Sequence, residues 1–103
     1  ASRSNYNLCS KCGSTKFKED FERVNRKLTL AGNIVLSVGV FGHSGDEVND
    51  EEKVLLDRVH RQKIDMSDAI YVINKGGYIG QSTRSEIAYA IFCKKQVIYM
   101  EER

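Results

Sequence analysis

Apolar residues recur at helical spacing in three parts of the chain. The first helix is predicted to follow a cap at Ser14 or Thr15 and to end near Gly32. Its apolar positions are three or four residues apart: Phe17, Phe21, Val24 and Leu28. This spacing leaves one apolar face, which predicts a helix that packs against a sheet.

Two further helices are predicted downstream. One begins with a cap at Asn49 or Asp50 and runs to about Met66, with acidic residues at its positive end. Its buried side is expected to carry Leu55, Val59 and Met66. The other is predicted to begin with a cap at Ser82 or Thr83. Its buried side is expected to carry Ile87, Ala90 and Ile91.

Short apolar runs between the helical patterns predict four strands. The runs cover roughly residues 5–11, 34–38, 69–74 and 96–100. Because strands alternate with helices, the predicted fold class is α/β, a doubly wound parallel sheet with helices on both faces. The simplest layout has the four strands in the order 2-1-3-4.

This strand order reverses between strands 1 and 3, and ligands of such sheets bind at the carboxyl ends of the strands at that point. Two loops rich in glycine and hydroxyl groups are expected to meet there, residues 13–15 and 76–86. The second loop leads into a helix whose first turn is expected to hold Glu86. Because the start of a helix favours an anion, Glu86 is predicted to stay ionised and to be a candidate nucleophile. Its alternative role is simply to complement the helix dipole.

Composition and charge narrow the class of protein. Of the 103 residues, 41% are hydrophobic and 29% charged, which is typical of a single globular domain over 1–103. Residues 1–4 are expected to be disordered or a remnant of cloning. The net charge of +2 does not indicate a nucleic acid polymer as partner. No apolar run approaches the ~20 residues of a membrane span, and the polar N-terminus does not resemble a signal peptide, so a cytoplasmic location is expected.

The cysteines suggest a metal site only weakly. Cys9 and Cys12 form a Cys-x-x-Cys-Gly sequence similar to half of a zinc ribbon. A closed structural zinc site needs four ligands, and Cys93 is far along the chain. We therefore expect reduced thiols, no metal and no cofactor.

Four segments of the chain resemble the nucleoside 2-deoxyribosyltransferase superfamily, and most closely a small, mostly uncharacterised branch of it. They are Cys-Gly-Ser-Thr-Lys-Phe at 12–17, Ser-Val-Gly-Val-Phe-Gly-His at 37–43, His-Arg-Gln-Lys-Ile-Asp at 60–65, and the stretch from Gly76 to Ala90. The resemblance covers nearly the whole chain after residue 11, and its last segment is the most specific.

The resemblance implies a flavodoxin-like fold and attack on the N-glycosidic bond of a (deoxy)nucleoside or nucleotide, by transfer or hydrolysis. Glu86 stands where the superfamily has its nucleophilic glutamate, which forms a covalent glycosyl-enzyme. The position of the second catalytic carboxylate falls on His60. Either His60 takes the acid–base role near neutral pH, or Asp57 or Asp65 does, or the activity is lost. In the last case the chain is a non-catalytic module that binds or senses a nucleotide.

The remaining candidate residues are expected to bind substrate, although each type also has an ordinary structural use. Phosphate or sugar groups are expected at the first turn and its lysine: Gly13, Ser14, Thr15 and Lys16. Further cleft residues are expected to be His43, Gly77, Gly80, Ser82 and Thr83. Tyr78 is expected to stack on a base. The resemblance implies a small-molecule nucleoside or nucleotide as partner, and a homodimer or larger homo-oligomer that completes the site.

Overall fold

The computed structural model describes residues 7–36 and 49–102 of the chain. The first part contains β1 (Leu8–Gly13), a 3₁₀ turn (Thr15–Phe17), α1 (Lys18–Leu30) and β2 (Ile34–Leu36). The second part contains α2 (Asp50–Met66), β3 (Ala69–Ile73), a 3₁₀ turn (Lys75–Gly77), α3 (Gln81–Phe92) and β4 (Gln96–Tyr99). The candidate residue His43 and the predicted terminal segment 1–4 lie outside the described residues.

The four strands form one parallel sheet in the order β2-β1-β3-β4. Cys9 of β1 lies opposite Val35 of β2, and Cys12 of β1 lies opposite Val72 of β3. Tyr71 of β3 lies opposite Ile98 of β4. The predicted α/β class and strand order are therefore confirmed, and the sheet is consistent with a flavodoxin-like fold.

Polar residues are accommodated inside β1, which ends at Gly13, two residues later than the predicted strand 5–11. Ser10 and Lys11 are buried at 0% and 2% exposure. The Ser10 hydroxyl is 2.7 Å from the Ser67 hydroxyl, and Lys11 Nζ donates to the Phe21 carbonyl at 2.9 Å. Because buried polar groups are tolerated when hydrogen-bonded, the strand continues through both residues to Gly13.

Helices cover both faces of the sheet. On one face, α1 contributes Phe21, Val24 and Leu28 to a cluster with Cys9, Ala69, Tyr71 and Ile73. On the other face, α2 and α3 contribute Ile64, Ile87 and Ala90 to a cluster with Cys12, Ile70 and Val72. The side-chain alternation of a strand thus sends Cys9 and Cys12 to opposite faces.

The buried side of α2 differs from the predicted one. Its buried residues are His60 and Ile64, whereas Leu55, Val59 and Met66 are 59%, 43% and 53% exposed. The prediction was wrong because it assigned the apolar residues to the core, while the helix turns His60 inward. α2 therefore brings a titratable ring, in addition to the aliphatic Ile64, to the sheet.

The start of α3 also differs from the prediction. Its N-cap is Gly80, in an extended conformation without a side-chain cap, so Ser82 and Thr83 lie inside the first turn. Glu86 consequently lies in the second turn. Ile91, predicted to be buried, is 61% exposed, whereas Ile87 and Ala90 are buried as predicted.

The start of α2 agrees with the prediction. The Asn49 side chain accepts from the Glu52 N–H at 2.7 Å, and the Asn49 N–H donates to the Glu52 carboxylate at 3.0 Å. This capping box begins the helix at Asp50. Within the described ranges, no helix has both the length and the apolar content to cross a membrane.

Candidate active site

A cleft of about 360 Å³ lies between α2 and α3. Its walls are polar and carry both signs of charge. α2 contributes three residues spaced by four, which share one side of the helix: Lys53, Asp57 and Arg61. α3 contributes residues from its first two turns: Gln81, Ser82, Ser85 and Glu86.

Three chemically active side chains lie together, and one of them, Glu86, lines this α2–α3 cleft. His60 Nε2 lies 3.2 Å from Glu86 Oε2 and 3.3 Å from Cys12 Sγ. Cys12 is near the carboxyl end of β1, next to β3, so this Cys12–His60–Glu86 cluster lies at the strand-order reversal. The Glu86 side chain is 22% exposed and the His60 side chain 9% exposed, so Glu86 is the member most accessible from the cleft.

Burial controls the protonation of Glu86. The pKa of Glu86 is raised to about 7, mainly by desolvation and also by the nearby charge of Asp57, while Lys53 opposes the rise. The prediction that Glu86 is held ionised by the helix start is therefore wrong. The dipole effect falls off within the first turn, and Glu86 is in the second turn, where its loss of hydration dominates.

His60 is a neutral ring at neutral pH. The pKa of His60 is lowered to about 4, mainly by burial and also by the nearby charge of Lys63. The charge of Asp57 opposes this decrease with a smaller effect. The expectation that His60 carries a proton to donate near neutral pH is therefore wrong for the free protein. A neutral ring can still donate from Nε2 to an ionised Glu86, or accept there from a protonated one.

Of the two alternative carboxylates, Asp57 lines the α2–α3 cleft and Asp65 does not. The Asp65 carboxylate accepts from the Tyr89 hydroxyl at 2.5 Å, and its carbonyl accepts from Lys95 Nζ at 3.1 Å. Asp65 therefore joins the end of α2 to α3 and to the turn before β4. Asp57 is the carboxylate that shares a cavity with Glu86.

The first-turn residues and Tyr78 form a separate group. Lys16 Nζ lies 3.6 Å from the centre of the Tyr78 ring, and the Phe17 and Tyr78 rings pack edge to face at 5.9 Å. The Ser14 hydroxyl accepts from the Lys16 N–H at 3.4 Å and caps the 3₁₀ turn that contains Thr15. These contacts give Tyr78 and Ser14 structural partners, and the residues lining the α2–α3 cleft do not include them.

The other predicted binding residues lie in different environments. A Cβ on Gly13 would be 2.9 Å from the Ile73 Cβ, so glycine is needed for close packing of β1 on β3. Gly77 lines a second cavity of about 240 Å³ with Ile79, Arg84 and Ile87. Thr83 is buried at 3% exposure, and Gly80 caps α3. Among the predicted site residues within 7–36 and 49–102, only Ser82 and Glu86 line the α2–α3 cleft, and His60 contacts Glu86.

The sequence reasoning missed one member of the Cys12–His60–Glu86 cluster, Cys12. It also missed four residues that line the α2–α3 cleft: Lys53, Arg61, Gln81 and Ser85. One available signal was the four-residue spacing of Lys53, Asp57 and Arg61, which puts alternating charges on one side of α2. Another was the position of Cys12 at the end of the strand next to the predicted reversal. Both signals depend on knowing which side of α2 faces the sheet.

No protein-family model matches this chain, and no curated protein matches it. The resemblance to the nucleoside 2-deoxyribosyltransferase superfamily therefore stays a prediction from sequence motifs.

Proposed function

We propose that this protein cleaves or transfers at the N-glycosidic bond of a (deoxy)nucleoside or nucleotide, with Glu86 as the nucleophile. The observation that carries the proposal is the Glu86 carboxylate, which borders a polar cleft and contacts a neutral imidazole at 3.2 Å. The resemblance of residues 76–90 to the superfamily supplies the reaction class. The proposed partners are small molecules in the cytoplasm and not nucleic acid polymers.

The proposed reaction has two steps. The ionised Glu86 carboxylate attacks C1′, the base departs, and a glycosyl ester forms on Glu86. A second base or water then attacks C1′ and releases the carboxylate, as in retaining glycosidases. A negative oxygen beneath the sugar also stabilises the oxocarbenium-like transition state.

Two neighbours support this role of Glu86. His60 Nε2–H donates to the ionised carboxylate and holds it in position, since this ring is neutral near pH 7. Asp57 is assigned the acid–base role of the second carboxylate, because it lines the same cleft. In this scheme His60 is a positioning residue, and Asp57 takes up the proton that Glu86 loses on ionisation and passes it to the departing base.

The cleft also suits a phosphorylated substrate. Lys53 and Arg61 contribute two cations to its lining, and the free N–H groups at the start of α3 favour an anion. Ser82 and Ser85 offer hydroxyls for the sugar. A 5′-monophosphate is therefore the proposed preferred form of the substrate.

The test is release of free base from deoxynucleosides and their 5′-monophosphates, with and without a second base, followed by chromatography. The wild-type protein is expected to release or exchange at least one base. Glu86→Gln is expected to abolish this activity, and Asp57→Asn to reduce it by about 10²- to 10⁴-fold, the usual contribution of a general acid or base. The sugar is expected on the peptide containing Glu86 when a reaction without acceptor is quenched and digested.

The matched control is Glu102→Gln, which removes a carboxylate from an exposed position outside the cleft lining. Glu102→Gln is expected to keep wild-type activity. Failure of the wild type to release base from any of these substrates, or equal activity of Glu86→Gln, would refute the proposal.

A second candidate function is binding of a nucleotide without turnover. The observation that favours it is the neutral state of His60, which stands where the superfamily has its second carboxylate and is not an imidazolium acid at neutral pH. This module would bind a nucleotide in the α2–α3 cleft and leave it intact after long incubation. Calorimetry with subsequent chromatography of the ligand distinguishes the two functions.

A further inference from the structure

The Cys12–His60–Glu86 cluster brings together three side chains that commonly bind metals. Cys12 Sγ, His60 Nε2 and a Glu86 carboxylate oxygen all lie within 4.8 Å of one another. We propose that these three side chains bind a zinc-class divalent cation, Zn²⁺ or Co²⁺. This site does not depend on the proposed glycosidic chemistry, and the sequence alone predicts no metal here.

Two of the three distances between ligand atoms match those around one tetrahedral ion. With Zn–S of about 2.3 Å and Zn–N or Zn–O of about 2.0 Å, tetrahedral geometry separates S from N by about 3.5 Å and N from O by about 3.3 Å. The observed separations are 3.3 Å for Cys12 Sγ to His60 Nε2 and 3.2 Å for His60 Nε2 to Glu86 Oε2. The third pair, Cys12 Sγ and the Glu86 carboxylate oxygen, lies within 4.8 Å.

The set of ligands determines the class of metal. A thiolate, an imidazole and a carboxylate suit zinc and cobalt, whereas Mg²⁺ and Ca²⁺ require mostly oxygen ligands. The Cys12 thiol binds as the thiolate and releases its proton to solvent. Cys9 packs in the cluster on the opposite face of the sheet, so the site does not use the Cys-x-x-Cys sequence as a pair.

The three ligands come from three rigid elements: β1, α2 and α3. Cys12 and His60 are 1% and 7% exposed, whereas Glu86 borders the α2–α3 cleft. A metal held there has three protein ligands and a fourth position towards the cleft, which is the arrangement of zinc sites that bind water or a substrate.

Bound zinc and the proposed glycosyl transfer exclude each other. Both use the Glu86 carboxylate, and an oxygen that coordinates zinc is no longer a free nucleophile. Zinc is therefore expected to inhibit base release, in addition to binding at the cluster.

The test is titration of reduced, chelator-treated protein with Co²⁺ alone, followed by absorption spectroscopy and displacement with Zn²⁺. The wild type is expected to bind one equivalent and to show a thiolate-to-cobalt charge-transfer band. Cys12→Ser is expected to remove the band and to weaken zinc binding by more than about 100-fold, since even losing an outer-shell partner typically costs 10- to 100-fold. His60→Gln is expected to weaken zinc binding by a similar factor.

Matched controls come from the other two cysteines. Cys93→Ser and Cys9→Ser remove a thiol outside the cluster and are expected to keep the band. If Cys12→Ser fails to fold, Glu86→Gln is decisive, because it keeps the thiol and should weaken zinc binding at least about tenfold. A wild type without the band, a band that persists in Cys12→Ser, or unchanged zinc affinity in Glu86→Gln overturns the proposal.

The two proposals fail separately in these experiments. A cobalt band without base release supports the metal site and rejects the glycosidic function. Base release without a cobalt band supports the glycosidic function and rejects the metal site.

Discussion

Burial and the helix dipole act on the Glu86 carboxyl with opposite signs. The rise of the Glu86 pKa from 4.5 to about 7 corresponds to about 3 kcal/mol against the charged form, at about 1.4 kcal/mol per unit. A helix N-terminus contributes at most about 1 kcal/mol for an exposed charge in the first turn. Desolvation therefore decides the protonation state of Glu86.

The Glu86 shift makes stability depend on pH. Between pH about 4.5 and about 7, folded Glu86 retains a proton that the unfolded chain releases, so the free energy of unfolding falls as pH rises. Glu86→Gln removes this dependence. The free energy of unfolding of Glu86→Gln minus that of wild type is expected to increase by up to about 3 kcal/mol from pH 4.5 to pH 8. Urea unfolding of chelator-treated protein measures this difference.

Two features of this comparison isolate Glu86. The lowered pKa of His60 makes stability rise with pH between about 4 and 6.5 in both proteins, so this contribution largely cancels in the difference. Glu102→Gln, at an exposed position, is expected to differ from wild type by the same amount at both pH values. A difference between Glu86→Gln and wild type that does not change with pH would contradict a raised pKa.

Sequence reasoning at the scale of residues found some members of the site and missed others. Glu86 and His60 were recognisable because their residue types stand in a motif, and they do lie in contact. Their protonation was not predictable, since it depends on how much water each group loses on folding. Cys12 was misjudged because it was paired with Cys9, and only strand alternation shows that the two face opposite ways.

The ends of the helices show how local backbone geometry limits each element. α1 ends with Gly32 at φ 93°, and its N–H and that of Asn33 bond back to Thr29 and Leu28. α3 ends in the same way, with Lys94 at φ 60° and Lys95 bonded back to Ala90. Both ends are Schellman motifs, but only α1 has the glycine that the left-handed position favours.

This difference predicts a stabilising substitution. Lys94→Gly removes the steric cost of a side chain at positive φ, which is about 1 kcal/mol, and is expected to raise the free energy of unfolding by somewhat less. The reciprocal change, Gly32→Lys, is expected to lower it by a similar amount. Urea unfolding of both variants checks the pair. A lower free energy of unfolding in Lys94→Gly would contradict the prediction, because it would show that the Lys94 side chain stabilises the fold by more than its positive φ costs.

At the scale of elements, the sequence was sufficient for type and order but not for orientation. Apolar residues spaced by three or four predict the helices, and short apolar runs predict the strands. The capping box fixes the start of α2. The rotation of α2 was predicted wrongly, because the apolar side formed by Leu55, Val59 and Met66 is exposed, and the opposite side with His60 and Ile64 is buried. Which side faces inward depends on tertiary contacts, here those of His60 with Cys12 and Glu86.

At the scale of the molecule, the topology explains why the site lies where it does. The helix that follows β1, α1, packs on one face of the sheet. The helices that follow β2 and β3, α2 and α3, pack on the other face and enclose the cleft between them. The sequence predicted a site at the strand-order reversal, and the Cys12–His60–Glu86 cluster lies at that reversal. It also expected the first turn and Tyr78 to converge there, but these residues pack on one another instead.

The outer side of α2 leads to a prediction about assembly. Leu55 and Val59 are four residues apart, and both are exposed, at 59% and 43%. Since isologous dimers bury one self-complementary patch, we expect a homodimer that buries this side of α2. Leu55→Lys with Val59→Lys would then set like charges against each other, which costs several kcal/mol, and should weaken the dimer at least about 100-fold in sedimentation experiments.

The control for this prediction is Leu30→Lys, which adds a lysine at a residue that is 72% exposed on α1, across the sheet from α2. Leu30→Lys is expected to leave the dimer intact, and circular dichroism is expected to be the same for all three proteins. Wild-type protein that sediments only as a monomer at micromolar concentration would contradict the prediction. Because α2 also lines the cleft, a real dimer would place its interface on the helix that carries Asp57 and His60, and dilution should then change substrate affinity as well as mass.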